Sequence, residues 1–259
     1  MKIDVLNQKE NKLRFVIEDT TPAFLNTIRR TATVEVPTMA IEEVAFTKNS
    51  SVLYDEIIAN RLGLMPLSTD LKTYKLPADC KCKGKGCSSC QVNLTLNAKG
   101  PGIIYAKDMK SKDPKIKPIF GDMPITKLTE GQEIKLTATA VLGLGKEHAK
   151  WSTGSFVFQG YPIIDIKGKS KIAKEIVDSC PKDVLELKEG AVKIKRIDAC
   201  NLCKVCEKVD PGAISVSGST EKFIVTLESW GQLEPKEILD EASEVLTAKL
   251  KAFDKLMKD

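Results

Sequence analysis

Eight cysteines are the residues best able to do chemistry in this 259-residue sequence, and they stand in two groups of four. The first group is Cys80, Cys82, Cys87 and Cys90, spaced Cys-x-Cys-x4-Cys-x2-Cys and interleaved with Lys, Gly and Ser. Four thiolates close a tetrahedron around Zn²⁺, and a site with four protein ligands has no open position for catalysis. The glycines let so short a loop fold back on itself. Lys81, Lys83 and Lys85 would offset the negative charge of a four-thiolate centre. The expectation is a structural zinc ion; the plain alternative is a loop of reduced thiols.

The second group is Cys180, Cys200, Cys203 and Cys206. Bacterial-type ferredoxins hold cubane clusters with C-x2-C-x2-C-x3-C-P runs, and the fourth cysteine of each run ligates the other cluster. Here Cys200, Cys203 and Cys206 fill three positions, and Asp210-Pro211 stands where the fourth cysteine and its proline belong. Cys180-Pro181 matches the end of a degenerate first run. The ligands left are those for one [4Fe–4S] cluster, with the other site vacant. A [3Fe–4S] cluster, or a Cys–Cys bridge after oxidative loss of iron, is compatible with the same residues. In a reducing compartment such grouping favours metal over disulfides.

The remaining chemistry is sparse. Gly143, Gly145 and Lys146 do not complete a phosphate loop. His148, the sole histidine, has no nucleophile tied to it by pattern. No catalytic residue is expected. A net charge of +5 permits a nucleic-acid neighbour without implying one. The N-terminus lacks the apolar core of a signal peptide, and no run approaches the ~20 apolar residues of a membrane span. A cytoplasmic protein is expected.

The elements that position these groups read as α+β. Residues 2–6 and 12–19 alternate as an opening hairpin. Thr21-Pro22 starts a helix with Leu25, Ile28 and Ala32 on one face, which Val36-Pro37 ends. A strand over 39–46 and a helix from Ser50 or Ser51 to Gly63 follow, the latter with Leu53, Ile57, Ile58 and Leu62 as its stripe. Strands are expected in VNLTL, GIIYAKD and EIKLTATAVL, with SKDPKIKPIFGDMP between them turn-rich and exposed. FVFQGYPIIDI reads as another strand. Residues 168–221 read as a ferredoxin-like unit: a short helix, Cys180-Pro181, a strand over 191–197, the three-cysteine loop, a short helix and a strand near 214–216. Residues 222–229 form a strand of their own, and a long helix runs from Pro235 to Met257 with Leu239, Ala242, Leu246, Leu250, Phe253 and Met257 at spacings of three and four.

The wording FLNTIRR…EVPTMAIEEV…NSSVLYDEIIANRLGLMPL resembles the assembly motif of the alpha-type subunits of cellular RNA polymerases, which include archaeal D-type subunits and the third-largest subunit of eukaryotic polymerase II. The phrase GKEHAKWS resembles a hallmark of the archaeal and eukaryotic members. The resemblance implies a discontinuous dimerisation domain (1–40, 155–167 and 222–259), an insert domain with the cysteine loop (41–154) and the ferredoxin-like domain (168–221). It also implies a non-catalytic assembly subunit of the polymerase, itself a nucleotidyltransferase. This subunit would pair with the small alpha-like subunit L and recruit the large catalytic subunits alongside small assembly subunits. It would meet DNA and RNA only through the complex. The interface residues implied are Phe24, Ile28, Arg29, Arg30, Arg61, Lys146, His148, Lys150, Trp151, Leu246, Leu250 and Phe253.

Two other classes compete. A free redox protein would make the cluster its centre of function, but a vacant second site and a long unrelated scaffold argue against it. A zinc-dependent nucleic-acid binder would need a basic recognition helix, which is lacking.

Overall fold

The computed structural model describes residues 1–168 and 170–258. Lys169 and Asp259, which fall within the domain bounds drawn above, lie outside the described residues. In chain order the elements are β1 (Lys2–Lys9), β2 (Lys12–Glu18), α1 (Pro22–Val34), β3 (Thr38–Asn49), α2 (Asp55–Gly63), β4 (Gln91–Lys99), β5 (Gly102–Tyr105), β6 (Lys110–Ser111), β7 (Pro124–Leu128) and β8 (Glu133–Gly143). Then come β9 (Gly154–Ile166), α3 (Ala173–Asp178), β10 (Leu185–Lys188), β11 (Ala191–Ile194), α4 (Val205–Val209), β12 (Ile214–Ser229) and α5 (Pro235–Leu256). The fold is mixed α+β.

The chain divides into two compact units. One takes Met1–Lys9, Leu13–Thr27 and Val157–Leu227. The other takes Glu10–Lys12, Ile28–Phe156 and the chain from Glu228 onward.

The larger unit is built on a sheet of order β3-β8-β4-β6. The alternation read in β8 is what makes it a central strand: Ile134, Leu136, Ala138, Ala140 and Leu142 are all buried on one face. Register sets Leu136 between Phe46 and Leu96, and the small Ala138 between the larger Val44 and Leu94. Helix α2 closes this face with Ile58 and Leu62, which share the core with Met39, Ile41, Leu94 and Leu96.

Here the structure corrects four expectations. Helix α2 starts at Asp55, not at Ser50 or Ser51, and Ile57 is 47% exposed rather than part of the stripe. Asn49 is the cause. Its side chain accepts from the Ser51 N–H at 3.0 Å and donates to the Leu53 carbonyl at 2.9 Å, holding residues 50–54 in a turn. Within the stretch expected to be exposed, Ile116 is fully buried in the core. GIIYAKD is only half strand: β5 stops at Tyr105, and Ala106–Asp108 form a single 3-10 turn.

The smaller unit carries a sheet of order β1-β2-β12-β9 and the hairpin β10-β11. The strands expected separately at 214–216 and 222–229 are one strand, β12. Gly218 disguised this in the sequence. A side chain on the facing Gly160 would strike the Ser219 backbone, its Cβ lying 2.6 Å from the carbonyl oxygen. The glycines mark close strand approach, not a turn. Strand β11 ends at Ile194 rather than at Ile197, and β10 pairs with it antiparallel, Leu185 opposite Ile194.

Candidate metal centres and partner faces

The first cysteine group occupies a turn between a single 3-10 turn (Pro77–Asp79) and the start of β4. Backbone bonds from the Lys83 N–H to the Cys80 carbonyl (2.8 Å) and from the Cys90 N–H to the Cys87 carbonyl (3.0 Å) fold both halves inward. Gly84 (φ +79°) and Gly86 (φ +87°) take left-handed conformations at the tip, where a side chain would be strained.

The sulfurs converge. Cys80 Sγ lies 3.5 Å from Cys87 Sγ, Cys82 Sγ lies 3.5 Å from Cys90 Sγ, and Cys87 and Cys90 are 3.8 Å apart. A tetrahedron with ligand bonds of ~2.3 Å has edges of ~3.8 Å. Among the described residues this is the group of ligating side chains whose donor atoms all lie within 4.8 Å of one another. It can hold a metal ion. Burial, with the other thiols, pushes the Cys90 thiol up to about 12. Burial also raises Cys82, but its contacts with Cys80, Cys90 and Cys87 outweigh this and bring it down to about 6. Such a quartet favours a cation that takes protons off its thiols.

The second group lies wholly in the smaller unit. Cys180 follows α3, Cys200 follows the turn Ile197–Ala199, Cys203 is in the loop and Cys206 is buried in α4. Leu202 (φ +59°) and Lys204 (φ +60°) are left-handed. All four cysteines line one small cavity, of about 10 Å³, with Ile164, Val184, Leu185 and Val216. Backbone N–H groups of Val184 and Leu202 point at Cys180 and Cys200 sulfur, each at 3.5 Å. Burial pushes the Cys200 and Cys206 thiols up. Unlike those of the first loop, these sulfurs do not all lie within 4.8 Å of one another.

Two residues that sequence reading passed over hold this loop. Gln159 on β9 donates to the Cys200 carbonyl at 2.7 Å. Arg14 on β2 donates to the Asp198 carboxylate at 2.9 Å and also to the Asp198 carbonyl. Their partners lie 41 and 184 positions away, beyond the reach of any local pattern.

The expected interface residues fall into four places: α1, α2, α5 and the GKEHAKWS turn. On α1, Phe24 and Arg30 are exposed, and Ile28 and Arg29 half-buried. Arg61, exposed on α2, donates to the Ile125 carbonyl at 2.9 Å. On α5, Ile238 and Ala242 are buried, Leu246 is half-buried, and Leu250 (61%) and Phe253 (62%) are exposed.

The GKEHAKWS phrase folds as a turn. His148 Nδ1 accepts from the Lys150 N–H at 3.0 Å, and the Lys150 ammonium pairs with Glu42 and sits 4.4 Å over the Trp151 ring. Trp151 is buried rather than laid on the surface, its indole against Gly143 and its Nε1 donating to the Val141 carbonyl at 3.3 Å. The exposed part of the phrase is Lys146, Glu147, His148 and Ala149.

Residues 39–165 match the family described as the RNA polymerase Rpb3/RpoA insert domain. DNA-directed RNA polymerase subunit Rpo3 of Methanosphaera stadtmanae is 39% identical, the match covering 96% of this chain and 96% of that protein. The Methanosarcina acetivorans Rpo3 is 39% identical over 96% of this chain and 95% of its own length, and that of Archaeoglobus fulgidus 35% over 100% and 98%. With these identities sustained along essentially its whole length, on an alpha-subunit-like α+β fold, the chain belongs to the Rpo3 family of DNA-directed RNA polymerase subunits.

Proposed function

We propose that this polymerase subunit acts as a non-catalytic scaffold that pairs with the small alpha-like subunit L and recruits the large catalytic subunits. The observation that carries this is α5. Its first turns are anchored through Ile238 and Ala242, while Leu250, Phe253, Leu256 and Met257 leave the core and stay exposed. An amphipathic helix that outruns its own core offers a partner an apolar stripe. Phe24 on α1 is a further exposed apolar side chain suited to the same kind of contact.

The quartet Cys180, Cys200, Cys203 and Cys206 is read as the ligand set of one [4Fe–4S] cluster in a ferredoxin-like domain. The fit rests on the cavity: four cysteines at its wall, apolar side chains around them, and N–H groups directed at sulfur. Such a cluster would staple a unit with a small apolar core of its own. Cys80, Cys82, Cys87 and Cys90 are read as a structural zinc site in the insert domain, on the sulfur spacing given above. The three-domain division and a cytoplasmic location belong to the same reading.

The test is an anaerobic tagged pull-down from native cells with mass spectrometry. Stoichiometric recovery of a small alpha-like subunit and the large polymerase subunits is expected, and Leu250→Glu with Phe253→Glu should abolish it without unfolding the chain. Recovery of the chain alone, or with a reductase, would overturn the scaffold reading and favour a redox protein.

A further inference from the structure

The ferredoxin pattern has two cluster sites, and only one has its cysteines. The C-x2-C-x2-C-x3-C-P spacing counted back from Cys180-Pro181 puts the other site's first three ligand positions at Ser170, Ala173 and Ile176, and the second run puts its fourth at Asp210. These four are far apart in sequence, yet the fold brings the ends of the set together: Ser170 Oγ donates to Asp210 Oδ2 at 2.6 Å.

The rest of the position is closed with protein. Ile176 is fully buried and Ala173 nearly so, in the same small core as Ile214 and Val216. Asp210 Oδ1 accepts from the Gly212 and Ala213 N–H groups at 3.1 and 3.2 Å, and Ser170 Oγ accepts from the Ile172 N–H at 3.2 Å. Every oxygen at the position is engaged, and Ala and Ile carry no ligating atom. The residues do not fit a second cluster.

We propose that Ser170, Ala173, Ile176 and Asp210 are a cluster site closed by replacement. A hydrogen bond and two apolar side chains do the cross-linking that iron and sulfide would do, and the backbone of the site is retained. This inference rests on the reading of Cys180, Cys200, Cys203 and Cys206 as the ligands of one cluster. It makes the chain a one-cluster protein with no neighbouring centre to exchange electrons with, and a scaffold that cysteines would reopen.

The experiment compares the full native chain with the variant Ser170→Cys, Ala173→Cys, Ile176→Cys and Asp210→Cys. Both are reconstituted anaerobically with iron and sulfide, and iron and labile sulfide are counted per chain. The native chain should hold about four iron atoms and the variant about eight, with paramagnetic coupling between two reduced clusters only in the variant. A folded variant that still holds about four would overturn the closed-site proposal alone. A native chain that holds none would overturn the one-cluster reading beneath it. In case the fourfold variant does not fold, Ser170→Ala with Asp210→Ala supplies a second test. It should lower the unfolding midpoint of the chain while leaving the iron count at about four. An unchanged midpoint would show that the pair is no cross-link and overturn the proposal.

Discussion

The amide of Gln159 reaches across from β9 to the backbone carbonyl of Cys200, 2.7 Å away, so a strand of the sheet holds the loop that carries three of the four grouped cysteines. Replacing Gln159 with Ala leaves that part-buried carbonyl without its partner, at a cost of about 1–3 kcal/mol. On the proposed one-cluster reading, the expected result is faster bleaching of the reconstituted chain's visible absorbance in air, with iron content unchanged under anaerobic conditions. Arg14→Ala, which frees Asp198 two positions before Cys200, should act in the same direction. Equal bleaching rates in wild type and both variants would refute the role.

For the first cysteine group, metal removal by a chelator should act locally. The loop is tied by its sulfurs, whereas the larger unit's core is built from β3, β4, β8 and α2. Proteolytic cutting within 81–86 should follow loss of the ion, with the far-ultraviolet circular dichroism nearly unchanged. Cys90→Ser should reproduce this without chelator. Global unfolding on metal loss would contradict it.

Acid should weaken the larger unit through Asp70. Lys115 at 2.8 Å and Thr73 at 2.8 Å, then the Thr73 and Lys72 N–H groups, hold its carboxyl well below the usual range. The folded value is depressed, so its contribution is complete above the unfolded value of about 3.9 and is lost as pH falls below it. Asp70→Asn should cost about 1–2 kcal/mol at neutral pH and flatten the stability curve below about pH 4. Denaturant titrations at several pH values would decide; parallel curves for the two proteins would count against it.

Gly143→Ala tests the packing of the GKEHAKWS turn. A Cβ there would lie 2.3 Å from the indole of Trp151, forcing the ring out of place. Overpacking of this kind costs about 1–3 kcal/mol. Thermal unfolding and the tryptophan emission maximum should both shift. If neither moves, the ring is not held by that contact.

What the sequence disclosed and what it hid divide along physical lines. Strand β8 was legible because strict alternation is a local code for a one-sided strand, and α5 because its stripe persists over six turns. The sulfur groups were legible because ligand spacing is also local. The start of α2 was not, because Ser50 and Ser51 look like helix caps until the Asn49 side chain accepts from the Ser51 N–H and hydroxyl, and the Ser50 N–H donates to the Glu133 carbonyl. Strand β10 was missed because its hairpin turns at Glu189-Gly190, both at positive φ, without the Asn-Gly wording that marks such turns. The burial of Trp151 and the hold of Gln159 and Arg14 depend on partners that only folding brings near.

Strands β9 and β12 are neighbours in one sheet, yet the segment that carries the second cysteine group, residues 167–213, connects them in sequence. The Lys167 N–H donates to the Ala213 carbonyl at 2.8 Å, so the segment leaves and re-enters the sheet at one point. Were that segment a free tether, bringing its ends together would cost about 3 kcal/mol of loop-closure entropy. A segment already cross-linked through its own interior has shed that entropy beforehand. Ligation at Cys180, Cys200, Cys203 and Cys206 would therefore favour strand pairing in a sheet whose strands the cysteines never join.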